Sequence, residues 1–407
     1  MNDEIEQKIK QLYQLSDVKD NPTCYIYDLR DITSKINSIS SFAPDNVSLY
    51  YAMKANPNRD ILKHVHKNKY VKGIEIASNG ELLKALEFYD AEQIIFTGPG
   101  KTEKELREAI IQGIRLLNCE SLVEAFRINR IASELNRKVN ILLRINTNYY
   151  VDGADEHMAG QSTKMGIDED KFLDAVNEIK KMQYIECRGV HVFSASGVLN
   201  YEYLIKYADY VFQLVSHLEK NDMKIDIIDF GGGIGIDYTK EGRKFDTEKY
   251  FSELRKLIRT YHFENKEMIL ELGKYIVGEA GYYTSKIIDI KKIKGYTHIV
   301  TAGGVNHMRL PIATDRKHPV YIIRCNEPAF GDFQEQVVNE IVDIEGPLCM
   351  DEDKISWDEL VERADIGDIV VLTQSGAYGY SASTLWFLSH EFPREYVISE
   401  SGELIYE

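Results

Sequence analysis

Val47-Ser48-Leu49-Tyr50-Tyr51-Ala52-Met53-Lys54-Ala55-Asn56 is a short β-branched and aromatic run that closes on a lysine. Seven further runs of the same kind follow it: Tyr70–Ser78, Gln93–Pro99, Ile114–Glu120, Lys138–Thr147, Tyr184–Ser194, Ile225–Gly233 and Glu267–Ile276. Between them lie segments such as Thr102–Gln112, Ser121–Leu135, Asp170–Met182, Asn200–Asn221 and Thr247–His262, with apolar residues three and four apart, as an amphipathic helix requires. Eight strands alternating with helices over about 230 residues predict a (β/α)8 TIM barrel.

Beyond about residue 280 the pattern turns β-rich, in Tyr282–Ile290, His298–Thr301, Val320–Cys325, Gln336–Ile344 and Ile369–Leu372, which predicts a C-terminal all-β domain. Thr23–Leu29 is strand-like and precedes the barrel, so it is expected to return to that domain. The division expected is 37–279 for the barrel and 1–36 plus 280–407 for the β-domain. No low-complexity linker or internal repeat marks the join.

Bulk properties exclude several classes. At 407 residues with 44% hydrophobic and 28% charged residues, the chain has the composition of a soluble globular protein. A net charge of -16 repels a phosphate backbone, so nucleic acid is not an expected partner. The opening Met1-Asn2-Asp3-Glu4-Ile5-Glu6 lacks the basic region and apolar run of a signal peptide, and no stretch reaches about 18 apolar residues. No membrane association and a cytoplasmic location are expected. Cys24, Cys119, Cys187, Cys325 and Cys349 show no Cys-x-x-Cys spacing, so neither a disulfide framework nor a zinc site is encoded.

The active site of such a barrel lies at the C-terminal ends of its strands. There the sequence sets Lys54, Glu75, Arg144, His191 with Ser194, the Gly231-Gly232-Gly233 loop after Asp229, and Glu271 with Gly273 and Lys274. A lysine at the end of an apolar strand reaches solvent, pairs with a carboxylate or has its amine used, because a buried ammonium is costly. A salt bridge to Glu75 and a chemical role both stay open. Consecutive glycines after a buried strand let backbone amides approach an anion such as phosphate, or simply make a tight turn. His191-Val192-Phe193 lacks the His-x-His spacing of a barrel metal site, so no metal is expected. Neither Phe193-Ser194-Ala195 nor Gln374-Ser375-Gly376 makes a nucleophile elbow.

Tyr51-Ala52-Met53-Lys54-Ala55-Asn56, the triple-glycine loop, Glu271-Leu272-Gly273-Lys274-Tyr275-Ile276-Val277, Gly346-Pro347-Leu348-Cys349 and Gly376-Ala377-Tyr378-Gly379-Tyr380-Ser381 occur in one order. Together they resemble the ornithine/diaminopimelate decarboxylase family of alanine-racemase-like fold, from about Cys24 to His390. The resemblance implies pyridoxal 5'-phosphate as cofactor, Lys54 as its Schiff-base lysine and Glu271 as the carboxylate facing the pyridine nitrogen. It further implies that His191 stacks on the ring. Ser194, the amides around Gly232, Gly233 and Gly273, Lys274 and Tyr378 hold the phosphate, and Glu75 and Arg144 also line the cofactor. Cys349 resembles the cysteine that reaches into a neighbouring protomer's site, which implies a homodimer with a shared active site.

Three positions depart from that pattern. Phe193 stands where the family has glycine, and Lys274 offers a point charge where arginine is usual. Met350 replaces the acidic residue that commonly follows the cysteine and holds a diamino acid's far end, with Asp353 nearby as a candidate substrate contact. Arg309 resembles an arginine that holds a distal carboxylate. Met158-Ala159-Gly160, Gly98-Pro99-Gly100-Lys101 and Phe387-Leu388-Ser389-His390 resemble the decarboxylases and racemases of carboxylate-type (staphyloferrin-like) siderophore pathways, which act on ornithine or citryl conjugates of diamino acids. The expected activity is decarboxylation at Cα of an amino acid or its conjugate. Racemisation with Lys54 and Cys349 as the two bases is the alternative, and a non-catalytic cofactor-binding homologue is a third reading, disfavoured because both residues are present.

Overall fold

In the computed structural model, which describes residues 1–325 and 334–406, all eight expected strands close on one another. They are Val47–Ala52, Val71–Ile76, Ile94–Phe96, Leu116–Cys119, Val139–Asn146, Ile185–His191, Ile227–Asp229 and Glu267–Leu272. Every neighbouring pair is parallel, and closure is made where Leu272 stands opposite Tyr51. The chain divides into two units. This barrel belongs to Thr33–Ile236 with Arg243–Tyr275, and the other unit comprises Met1–Ile32, Asp237–Gly242 and Ile276–Glu407.

Side chains alternate across a strand, so inward residues recur every second position and form layers. The middle layer is apolar: Tyr50, Ile95, Leu116, Leu142, Ile227 and Ile269 make one buried cluster. Gly73 admits the Tyr50 ring, because a Cβ there would lie 2.5 Å from Tyr50 Cε1 and 2.0 Å from the Gln93 carbonyl oxygen. Outside, the helices follow the predicted apolar periodicity. Glu103–Gln112 starts from a Thr102/Glu105 capping box and stops at Gly113, whose left-handed conformation ends the helix.

In the other unit a sheet runs in the order Lys354–Ala364, Val337–Glu345, Tyr296–Thr301, Gly281–Ile293, Thr23–Asp28, Arg394–Ile398, Leu404–Ile405. Thr23–Asp28 does return to it, antiparallel to Gly281–Ile293 and parallel to Arg394–Ile398. Lys354–Ala364 and Arg394–Ile398 were not among the strands expected. Lys354–Ala364 has exposed charged residues that blur a period of two, and Arg394–Ile398 is only five residues long. A helix at Asp3–Leu12 is likewise new; it buries Ile5, Ile9 and Leu12 against Cys24, Ile26 and Tyr282. Among the described residues no helix is long and apolar enough to cross a membrane.

Candidate active site

One layer above the apolar cluster the barrel interior becomes polar. Glu75, Thr97, Asn118, Arg144, His191, Asp229 and Glu271 sit two residues beyond Gly73, Ile95, Leu116, Leu142, Gly189, Ile227 and Ile269, and all seven are buried. Buried polar groups must find partners or cost free energy, so their pairing is informative.

Lys54 lies in a single 3-10 turn, Met53–Ala55, directly after the first strand. Its Nζ is 3.2 Å from Glu75, while its side chain remains 35% exposed. Burial pushes Glu75 up to about 7 against the pull of Lys54, with Glu271 adding to the rise. Arg144 is held by Glu120 at 2.7 Å, and the other Glu120 oxygen accepts the Gly166 N–H at 2.8 Å. That pair is closed on itself.

His191 is fully buried, and neither ring nitrogen has a hydrogen-bond partner among the described residues. Its Nε2 lies 3.6 Å from Glu271, too far for a hydrogen bond. Burial outweighs the attraction of Glu271 and lowers the imidazole below its usual pKa, so the ring is neutral. Donor atoms of His191, Asp229 and Glu271 all lie within 4.8 Å of one another. Two ionised carboxylates that close repel by at least roughly 3 kcal/mol at an effective dielectric near 20. Burial and then Glu271 accordingly drive Asp229 well above the carboxylate range. Burial would raise Glu271 too, but the polar edge of the neighbouring His191 ring, the Lys54 ammonium and Asp229 together draw it well below.

After the seventh strand Gly231 adopts φ +63°, and a Cβ there would meet Phe193 Cβ at 2.8 Å. The Phe193 ring is therefore accommodated by glycine, and its centroid lies 5.8 Å from Lys54 Nζ. The N–H groups of Gly232, Gly233 and Ile234 donate to no acceptor among the described residues, whereas Gly235 N–H reaches the Val198 carbonyl at 2.9 Å. Ser194 Oγ joins Thr147 Oγ1 at 3.1 Å and the Tyr207 hydroxyl at 2.6 Å. Gly273 follows the eighth strand, and Lys274 opens the short helix Lys274–Val277 with its side chain buried.

Lys54, Glu75, Arg144, His191, Ser194, Gly232, Gly233, Glu271, Gly273 and Lys274 thus share one end of one barrel. Cys349, Met350, Arg309, Asp353 and Tyr378 belong to the other unit. Cys349, Met350 and Arg309 are exposed there, and Tyr378 takes a left-handed φ of +57°. Asp353 is buried, and its two carboxylate oxygens accept the N–H groups of Val305 and Leu348, both at 2.7 Å. It braces the loop that carries Cys349. Lys101 of the Gly-Pro-Gly-Lys stretch is also buried, held by the Gly98 and Asn118 carbonyls and by Glu124.

Thr97, Asn118 and Asp229 received no role from the sequence, although Asn118 Nδ2 bonds Thr97 Oγ1 at 2.9 Å and reaches Glu271 at 3.4 Å. A signal was present. Each is the polar residue two places after an inward apolar one, so alternation alone points them into the barrel. Tyr207 carried no such mark, because it reaches Ser194 from a helix.

The family described as pyridoxal-dependent decarboxylase, pyridoxal binding domain, matches residues 29–278. The chain belongs to that family, and it is a decarboxylase-family enzyme with pyridoxal 5'-phosphate as cofactor. The 2-[(L-alanin-3-ylcarbamoyl)methyl]-2-hydroxybutanedioate decarboxylase of Staphylococcus aureus is 34% identical over 94% of this chain and 96% of its own. A diaminopimelate decarboxylase of Aquifex aeolicus is 28% identical over 88% of this chain and 83% of its own. Among solved structures, the diaminopimelate decarboxylase of M. jannaschii in complex with L-lysine superimposes with a TM-score of 0.85 at 25% identity, covering 98% of this chain and 90% of that one.

Proposed function

We propose that this enzyme removes the α-carboxylate of an amino acid whose side chain is extended by an acidic conjugate, as a cytoplasmic homodimer in siderophore assembly. The observation that carries this reading is the end-to-end likeness to the S. aureus enzyme, whose name describes an alanine unit joined through C3 to a hydroxylated dicarboxylate. Met350 supports it, because an apolar side chain offers nothing to a free distal ammonium.

Within the barrel, Lys54 would hold the cofactor through its aldehyde group, Glu271 would pair with its ring nitrogen, and His191 would pack on its ring. The amides of Gly232 and Gly233, which donate to no acceptor among the described residues, would with Gly273, Ser194 and Lys274 bind the phosphate. Glu75 and Arg144 line the same end. The donor set fits this cofactor: one amine in reach of solvent, one buried anion and a run of free backbone donors. When bound, pyridoxal phosphate supplies an electron sink for the pair left at Cα as carbon dioxide departs.

The chain's own groups do the rest. Glu271, kept ionised, holds the proton on the ring nitrogen, and Phe193 walls one side of Lys54. Lys54, or Cys349 of a neighbouring copy, returns a proton to Cα. Arg309 meets the distal carboxylates of the substrate beside Met350. Asp353, whose two oxygens accept the Val305 and Leu348 N–H groups, fixes the Cys349 loop.

The test is incubation with ornithine and with citryl-diamino acids in deuterated water, following carbon dioxide and Cα deuterium. Carbon dioxide release from a citryl conjugate is expected. Deuterium at Cα with the carboxylate retained would instead identify a racemase, and release from ornithine alone would overturn the conjugate assignment.

A further inference from the structure

Glu75, Glu120, Asp229 and Glu271 share the upper end of the barrel with Lys54, Arg144 and Lys274. Arg144 is matched by Glu120 at 2.7 Å and Lys54 by Glu75 at 3.2 Å. Asp229 and Glu271 remain. The side chains about them are His191, which is neutral, Asn118, and Lys54, already engaged by Glu75. Tyr50 lies one layer below, against Arg115 and Glu267. Two buried anions under 5 Å apart with no cation of their own cannot both stay charged.

Geometry says which one carries the proton. Asp229 Oδ1 accepts the Gly231 N–H at 2.9 Å, and Oδ2 is buried without a hydrogen-bond partner among the described residues. An ionised carboxylate would leave that oxygen a bare buried anion, whereas a protonated Oδ2 becomes a donor beside Glu271. Glu271 has a donor in Asn118 and the neighbouring His191 edge to favour its charge.

We propose that Asp229 is a positioning residue that keeps its proton on Oδ2, directed at Glu271, so that Glu271 is the only anion facing the cofactor. The inference rests on reading Glu271 as the ring-nitrogen partner. Its chemical content is a division of labour between two carboxylates: one is held neutral so that the other is held charged. Asp229 touches no reacting atom; it orients Glu271 and, through the Gly231 bond, the glycine loop that follows.

The experiment is infrared spectroscopy of the full-length enzyme at mildly alkaline pH, above the point near 7 where Glu75 gives up its proton. A protonated-carboxyl stretch that shifts in deuterated water is expected in the wild type, lost in Asp229→Asn and kept in Glu75→Gln. A wild type without that band, or a band that survives Asp229→Asn, overturns the proposal. As a second readout, the melting temperature of Asp229→Asn should rise relative to wild type as pH increases from 5 to 8, because the amide needs no proton on folding. A pH-independent difference counts against it. If the protein shows no pyridoxal absorbance, the cofactor reading fails while the carboxyl band still reports on Asp229.

Discussion

The two ends of the barrel treat buried polarity in opposite ways. At the N-terminal end Arg115 engages both the Tyr50 hydroxyl and Glu267, so donor and acceptors cancel in place. At the C-terminal end the ring nitrogens of His191, Oδ2 of Asp229 and Oδ1 of Asn118 are buried without hydrogen-bond partners among the described residues, and the Gly232–Ile234 amides donate to no acceptor among them. Evenly satisfied groups hold a structure together; unsatisfied ones mark where a ligand completes it. Stability is concentrated at one end and chemistry at the other.

That contrast can be broken by substitution. Lys54→Ala should lower kcat by at least about a thousandfold and abolish the cofactor's imine absorbance, since it removes the amine proposed to hold the cofactor; retained absorbance would refute the assignment of Lys54. Glu271→Gln should lower kcat about a hundredfold or more without lowering the melting temperature, because it removes a buried charge instead of a structural partner. Steady-state kinetics and calorimetry on one preparation check both halves. The reverse pattern is expected at the other end, where Tyr50→Phe should cost about 1–3 kcal/mol of stability by stripping Arg115 of an acceptor, with kcat unchanged.

The pH dependence sharpens the comparison further. An unfolded chain loses the Asp229 proton near pH 4. The folded chain keeps it, so above that pH the native state binds one more proton than the unfolded state. Stability contributed at this site is therefore fully present below about pH 4 and declines by about 1.4 kcal/mol per pH unit above it, until the folded group titrates. Denaturant titrations of wild type and Asp229→Asn between pH 5 and 8 should diverge with that sign. The smallest effect is expected at Lys274→Arg, where a bidentate fork replaces a point charge and should tighten cofactor retention by about tenfold or less, read by dialysis against a carbonyl reagent.

Much of this was legible in the chain before folding. Eight β-branched runs with helical spacing between them announced the barrel, and the lysine, glycine loop and Glu271 fell at strand ends by chain order alone. Period-two alternation even contained Asn118 and Asp229, although nothing in their immediate neighbours distinguished them from turn residues. Asp353 shows the limit in the other direction. Its place in an acidic run after Cys349 invited a substrate role, yet folding brings it under the Val305 and Leu348 amides, which take both of its oxygens.

What the sequence determined by itself is therefore the architecture, the cofactor class and the place of Lys54 at the end of the first strand, because periodicity and motif order are properties of the chain. What only the tertiary structure decided is the charge on each carboxylate. Whether Glu75, Asp229 or Glu271 is ionised depends on desolvation and on cations brought in from other strands, and residues distant in sequence acquire that coupling only when the barrel closes.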